Sequence, residues 1–394
     1  MITERLARLT GHAGSRFHSD MEDNAAELAE AIGGKRILVI GAAGSIGSAF
    51  VRQLVRFKPR GLHLVDINEN NLVEVVRDLR SSLLPVPDDF VTTSIDFASL
   101  EFQRYAEAAG SFDAFLNFSA LKHVRAERDV FSLMRMVDVN VRALHHYLRS
   151  PAGRRLGRAF SVSTDKSVCP ANLMGATKNL MEQVLFASDS TVPATTARFA
   201  NVAFSAGSLL EGFERRLEKR QPLSAPADVR RYFMTHEEAG QLCLLAGFLA
   251  DDHEVFCPKV DAGLDVLRFD EIAVMLLESR GLKPLLCASE DEARRTVPTS
   301  THWPCWFAPS DTTGEKPQEE FFRDGDVVDY RRFTSIAAAR EAVADPAALD
   351  AFLTEFQRLR SLTTWSKADL AAAITAAVPD LLHVERHRNL DQKM

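Results

Sequence analysis

The sequence has no uninterrupted apolar run long enough to cross a bilayer, so no membrane span is expected. Its opening residues lack the continuous apolar core of a secretory signal. Cysteine is scarce: Cys169, Cys243, Cys257, Cys287 and Cys305 are an odd set with no CxxC pair. A disulfide framework or zinc ribbon is therefore not expected, and a reducing cytoplasm fits. A basic excess is also missing. With 47 Lys plus Arg against 54 Asp plus Glu, the net charge is −7, which argues against nucleic acid or an anionic membrane as partner. No repeat of solenoid period is present. His145-His146 has no carboxylate or cysteine at ligand spacing, so it reads as a helix-surface pair and no metal is expected. What remains is 394 residues with 46% hydrophobic and 26% charged content, ordinary for a folded protein with one large domain and a smaller partner.

Six short apolar runs follow the opening segment: 36–40, 61–66, 90–95, 113–120, 158–164 and 194–199. They are β-branched, aromatic and nearly continuous, as strands buried on both faces of a parallel sheet are. Helical stretches at 45–57, 71–82 and 131–149 alternate with them, which predicts right-handed crossovers. The fold class is α/β, a Rossmann-type doubly wound parallel sheet. The expected division is an N-terminal helical extension (1–34), a dinucleotide-binding domain (35–205, with 230–255 returning to it), a substrate-binding region (206–335) and a C-terminal helical extension (336–394). The proline-bearing stretch 288–330 reads as irregular, and 336–378, rich in alanine, as helix.

Run 36–40 leads directly into Gly41-Ala-Ala-Gly44-Ser45-Ile46-Gly47 and a helix. Glycine lets the backbone turn and approach a pyrophosphate, while a helix N-terminus offers N–H groups and the positive end of its dipole. Asp66 closes the next run, where a carboxylate can take both hydroxyls of an adenosine ribose and repel a 2′-phosphate. Residues 67–70 hold no arginine to reverse that preference, so NAD is the expected cofactor. The competing reading is a packing loop beside a solvated Asp66. Asp96 and Phe97, after the third run, could reach the adenine; a plain loop carboxylate is the alternative for Asp96.

The fifth run ends in Ser163-Thr164-Asp165-Lys166, and a predicted helix carries Met174 and Lys178 one turn apart. Strand C-termini are where such sheets bind their ligands. Several segments together resemble the extended short-chain dehydrogenase/reductases, within them the nucleotide-sugar 4,6-dehydratases of polysaccharide biosynthesis that act on UDP-N-acetylglucosamine. These are GAAGSIGS (41–48), VDINENNL (65–72), FSALKHV (118–124), VDVNV (137–141), STDKSVCPANLMGATK (163–178), ARFANVAFSAGSLL (197–210), RRYFMTHEEAGQL (230–242) and TGEKPQEEFF (313–322). Methionine at 174, where the superfamily usually has tyrosine, resembles the subgroup that retains configuration at C5.

The resemblance implies a redox-neutral elimination in which NAD takes hydride from sugar C4, water leaves across C5–C6, and the hydride returns to C6. Lys178 would then hold the nicotinamide ribose. Met174 has no proton to exchange, so the Thr164 hydroxyl or a water it positions would take the C4 proton. Asp165 would protonate the leaving C6 hydroxyl, which requires a protonated acid. Lys166 would take the C5 proton, which requires a neutral amine. The competing reading is a simple Asp165–Lys166 salt bridge. Ser119 and Ala120 would face the cofactor, and Lys122, Asn201, Ser208 and Arg231 the nucleotide sugar. A surface pair is the alternative for Arg230 and Arg231, as an ion pair is for Glu315 and Lys316, and packing is preferred for Trp303 and Trp306. The resemblance also suggests a homo-oligomer. Two other functions stay open: a nucleotide-sugar 4-epimerase, which shares the first step, and a catalytically silent NAD-binding protein.

Overall fold

The computed structural model describes residues 14–199, 201–259, 266–310 and 319–383. Residues 1–13 of the segment read for a secretory signal, Glu315, Lys316 and the polar tail from 384 lie outside the described residues.

Two short helices, α1 (His18–Asp23) and α2 (Ala25–Ile32), precede β1 (Arg36–Ile40). Then come α3 (Ser45–Leu54), β2 (Gly61–Asp66), α4 (Glu69–Ser81), β3 (Asp89–Ser94), α5 (Leu100–Ala108) and β4 (Ala114–Asn117). Helix α6 (Val130–Val137) runs through a π-turn at Asp138–Arg142 into α7 (Ala143–Arg149). Next are β5 (Arg158–Val162), α8 (Leu173–Leu185), β6 (Ala194–Ala197), β7 (Asn201–Val202), α9 (Leu209–Glu218), β8 (Leu223–Pro226), β9 (Arg230–Met234), α10 (His236–Leu249) and β10 (Glu254–Pro258). The chain continues with β11 (Val266–Arg268), α11 (Phe269–Glu278), β12 (Lys283–Leu286), α12 (Glu290–Arg295), β13 (His302–Ala308), β14 (Val328–Asp329), β15 (Ile336–Arg340), α13 (Pro346–Arg360) and α14 (Lys367–Ala377).

The main sheet has nine strands in the order β14-β15-β10-β6-β5-β4-β1-β2-β3. From β3 across to β10 every pairing is parallel, and β15 joins antiparallel. Strand order reverses between β1 and β4, the position where an open parallel sheet leaves a crevice beyond its strand ends. All six predicted strands are present, and the central strands β1, β4, β5 and β6 are buried on both faces. One apolar layer gathers Leu38, Phe115, Leu180 and Phe356; the other gathers Ile37, Phe50, Phe160 and Leu245. A third core, with Phe213, Phe233, Leu277 and Trp303, lies under two three-stranded sheets, β11-β9-β7 and β12-β13-β8.

Three expectations need correction. Residues 336–340 form a strand of the main sheet rather than the start of a helical extension. Their register with Glu254–Pro258 outweighs the helix preference of alanine, and Ile336 through Ala339 are buried there. The stretch 288–330 is only partly irregular, because it contains α12 and the central strand β13, with Pro304 inside the strand. His145-His146 is a surface pair only at His146, which is exposed; His145 is half-buried, with its side chain 20% exposed near Asp350 of α13, and burial pushes its pKa down to about 4. No helix among the described residues is long and apolar enough to cross a membrane. All five cysteines are free, and no described group of His, Cys, Asp or Glu could hold a metal ion.

Candidate active site

The glycine loop sits at the C-terminal end of β1, and its shape is dictated by contacts. Gly41 has a φ of 71°, and a Cβ there would lie 2.6 Å from the Ser119 amide nitrogen. A Cβ at Gly47 would lie 2.1 Å from the Gly41 carbonyl oxygen. Gly44 is the N-cap of α3 and contributes no side-chain cap, so the first-turn N–H groups are left for a ligand. Asp66 Oδ2 accepts from the Ala43 amide at 2.9 Å, and Oδ1 from the Asn68 amide at 2.9 Å. Each oxygen keeps a lone pair for a further donor, so a ribose diol fits beside the loop. Ser45 Oγ accepts from the Ala206 amide at 2.9 Å, fastening the loop after β7 over the glycine turn. These features fit a dinucleotide pyrophosphate and ribose.

At the end of β5 the expected triplet is well defined. Thr164 Oγ1 donates to Asp165 Oδ1 at 2.7 Å, and Lys166 Nζ donates to the same oxygen at 3.1 Å. Asp165 is buried, while the Lys166 side chain is 30% exposed. The competing salt bridge is therefore present, as an acid–amine pair at the mouth of the crevice. Beneath it Lys178, fully buried on α8, donates from Nζ to the Val162 carbonyl at 2.9 Å. Burial lowers its pKa to about 8, opposed by the charge of Glu182. Met174 is buried in the apolar layer, and its amide donates to Glu127 at 2.6 Å.

Loops from the smaller sheets approach the same face. A Cβ at Gly207 would lie 2.7 Å from His123 Cε1, so the loop before α9 rests on the loop after β4. Lys122 keeps an exposed face, yet desolvation lowers its pKa against the opposing charge of Glu211. Arg230 is exposed and Arg231 buried, so the two are not a surface pair. Ser208 accepts from the Glu211 amide at 3.2 Å as the N-cap of α9. Trp303 packs in the third core and donates to Gln221 O at 2.8 Å.

On the β3 side the structure gives both expected adenine contacts partners within the fold. The Phe97 ring packs edge-on against Phe102 and Tyr147 in the core, so only the backbone at 97 is left to meet a ligand. Asp96 pairs with Arg135 and accepts from the Ala98 amide, which ties its carboxylate into the fold.

Three residues that sequence reading did not single out shape the site. Asn140, displaced by the π-turn, accepts from the Leu121 amide at 2.9 Å and donates to Thr177 at 3.0 Å, linking the β4 loop to α8. Glu182 Oε1 accepts from Ser163 at 2.6 Å and Ser167 at 2.8 Å, gripping both flanks of the triplet. Glu319 accepts from Asn201 Nδ2 and from the Tyr232 amide, each at 2.9 Å. Burial, then the charge of Asp165, pushes Glu319 up to about 7. Its signal in the sequence was the acid pair Glu319-Glu320 within an otherwise recognisable motif.

Residues 37–298 match the family described as polysaccharide biosynthesis protein. The chain belongs to that family. The capsular polysaccharide biosynthesis protein CapD of Staphylococcus aureus is 31% identical over 63% of this chain and 41% of its own length. A UDP-N-acetylglucosamine 4,6-dehydratase (inverting) of Campylobacter jejuni is 23% identical over 58% of this chain and 67% of its own. A UDP-glucose 4-epimerase of Rickettsia bellii is 26% identical over the same shares, 58% and 67%. The chain thus spans less than half of CapD. The solved structure of Pen from Bacillus thuringiensis superposes with a TM-score of 0.63 at 19% identity, covering 80% of this chain and 90% of that one, and shares the fold. The Campylobacter relative carries the name of the activity that the motif-based resemblance implies.

Proposed function

We propose that the chain is an NAD-dependent 4,6-dehydratase of a nucleotide-activated N-acetylhexosamine, UDP-N-acetylglucosamine in the first instance. The observation that carries this reading is the Thr164-Asp165-Lys166 cluster at the end of β5, one strand from the crevice where strand order reverses. Gly41, Gly44, Ser45, Ile46, Gly47 and Asp66, with the backbone of Ser119 and Ala120, would hold NAD. Bound there, NAD would accept two electrons and a hydrogen from sugar C4 and give them back at C6.

The chain's own groups handle protons. Lys178 would hold the nicotinamide ribose from beneath β5, once it turns its ammonium from the Val162 carbonyl. Thr164 Oγ1 would take the proton of the C4 hydroxyl or position the water that does. Asp165 and Lys166 must act as a neutral acid and a neutral amine, and their ion pair supplies both at once. One proton moved along the 3.1 Å hydrogen bond from Lys166 Nζ to Asp165 Oδ1 gives the acid for the C6 oxygen and the base for the C5 proton. Met174 contributes an apolar wall and no proton. Lys122, Asn201, Ser208 and Arg231 would face the nucleotide diphosphate, with arginine suited to a bidentate contact.

A 4-epimerase would share the oxidation at C4, and the Rickettsia relative gives that reading some support. Incubation with UDP-N-acetylglucosamine in heavy water separates the two. The dehydratase reading expects a product lighter by one water and carrying deuterium at C5. An epimer of unchanged composition would replace it with the epimerase reading. Tight NAD binding without any conversion would leave a silent cofactor-binding protein.

A further inference from the structure

The crevice lies between the C-terminal ends of β1 and β4, and one short segment crosses it. Residues 203–208 join β7 to α9. The Ala206 amide donates to Ser45 Oγ at 2.9 Å, on the bank that follows β1. The next residue, Gly207, meets the other bank. A Cβ there would lie 2.7 Å from Cε1 and 2.8 Å from Nε2 of His123, in the loop after β4, so the imidazole lies against bare backbone. Gly207 also has a φ of 75°, a second reason for glycine at this position. Two consecutive residues thus touch opposite sides of the crevice.

The segment is held at its ends and open in its middle. Ala203 and Ser205 are buried; the Ala203 amide donates to the Met234 carbonyl at 2.9 Å, and the Ser205 amide to the Val202 carbonyl at 3.2 Å. At the far end Ser208 caps α9, and the Gly207 amide donates to Glu211 Oε2 at 2.7 Å. Ala206 and Gly207 are exposed. Phe204 turns the chain with a φ of 56°, a conformation that a bulky side chain rarely takes. The two ties to Ser45 and His123 are small: one hydrogen bond at an exposed amide, and one ring against a glycine. Ties of that size break and re-form more readily than the buried ends.

We propose that residues 203–208 form a strap across the dinucleotide crevice, fastened by Ser45 and His123, whose opening sets the rate at which NAD enters and leaves. This rests on the reading of that crevice as the cofactor site. The Ser45 end of the strap is at the first turn of α3, where the pyrophosphate would be held. A cofactor in that position passes the strap on its way in and out. The proposed reaction gives the strap a purpose. Hydride taken from C4 must return to C6 from the same nicotinamide. A reduced cofactor lost in between would leave a keto sugar on an enzyme with no hydride to give back. The strap adds no contact to the sugar; it lengthens the stay of the cofactor beyond one turnover.

The test compares S45A and H123A with wild type in the full chain, using NADH fluorescence in stopped flow to follow entry and exit. Each change removes one fastening. A barrier shared by both directions moves both rates together, whereas a lost contact to the cofactor moves exit alone. Each variant should therefore exchange NADH about 5-fold faster in both directions, with its Kd within about 2-fold of wild type, and the double variant about 25-fold faster. A second readout needs no cofactor: hydrogen exchange at the Ala206 amide should speed up in S45A. During turnover the double variant should lose activity with time and regain it when NAD is added. Wild-type exchange rates in both variants overturn the proposal. So does an S45A whose exit rate and Kd rise in proportion while entry is unchanged, which makes Ser45 a plain cofactor contact. An enzyme that shows the strap's rates but converts no sugar keeps the strap and loses the dehydratase reading. One that dehydrates while both variants exchange NADH at the wild-type rate does the reverse. A chain that binds no NADH overturns the strap and the cofactor reading alike. If S45A does not fold, H123A decides alone.

Discussion

Replacing Lys166 with methionine is expected to lower dehydration by about 10³-fold while leaving NAD affinity unchanged. Methionine retains the length and apolar stem of lysine but removes the amine that contacts Asp165 at the end of β5. Oxidation at C4 does not call on that amine, so K166M should still carry one round of it and show reduced cofactor. Removal of the C5 proton does call on it. In heavy water, deuterium should therefore fail to enter C5. A K166M enzyme with near-wild-type turnover and NAD bound would take Lys166 out of the chemistry, and the Asp165 contact would then be a strand-end salt bridge.

R198M is expected to destabilise the fold by about 3–5 kcal/mol, the usual cost of breaking a buried ion pair from one side. Arg198 has no exposed surface and pairs through one Nη2 with both Glu182 and Glu341, each at 2.6 Å. Burial works against the charged form of both Glu182 and Arg198, and their mutual attraction wins: Glu182 is held below the usual carboxylate range and Arg198 above its own. Without the guanidinium, two acids are left behind β5 and β6, and the Phe321 carbonyl loses its donor. The same change should slow turnover, because Glu182 holds Ser163 and Ser167 on either side of the triplet. Urea titration of R198M measures the first effect, and a loss under about 1 kcal/mol would contradict it. Changing Glu182 and Arg198 together to methionine should recover part of the loss.

The central sheet was legible because its strands are continuous apolar runs, which only a doubly covered parallel sheet requires. The glycine loop and Asp66 were legible for the same local reason, since the turn, the helix start and the carboxylate all lie within one βαβ unit. What escaped depends on distant partners. Ile336–Arg340 is a strand only because Glu254–Pro258 offers it an edge. Glu319 becomes a site residue only through Asn201 and Tyr232, far away in sequence. Nothing local marks Glu182 in the sequence, and its burial follows from where α8 docks. The one available signal for that network was Arg198, a charge at the end of an otherwise apolar run, which a buried partner had to balance. Phe97 shows the same dependence: its place after β3 was legible, while the burial of its ring follows from Phe102 and Tyr147.

A crystal structure of the chain with NAD and a UDP-hexose product analogue bound tests the account most directly. The nicotinamide is expected against the 164–166 segment, with Lys166 Nζ close to the C5 hydrogen of the sugar and an Asp165 oxygen within hydrogen-bond reach of the C6 oxygen. A sugar lying away from β5, with those side chains turned out of the nicotinamide pocket, would contradict it.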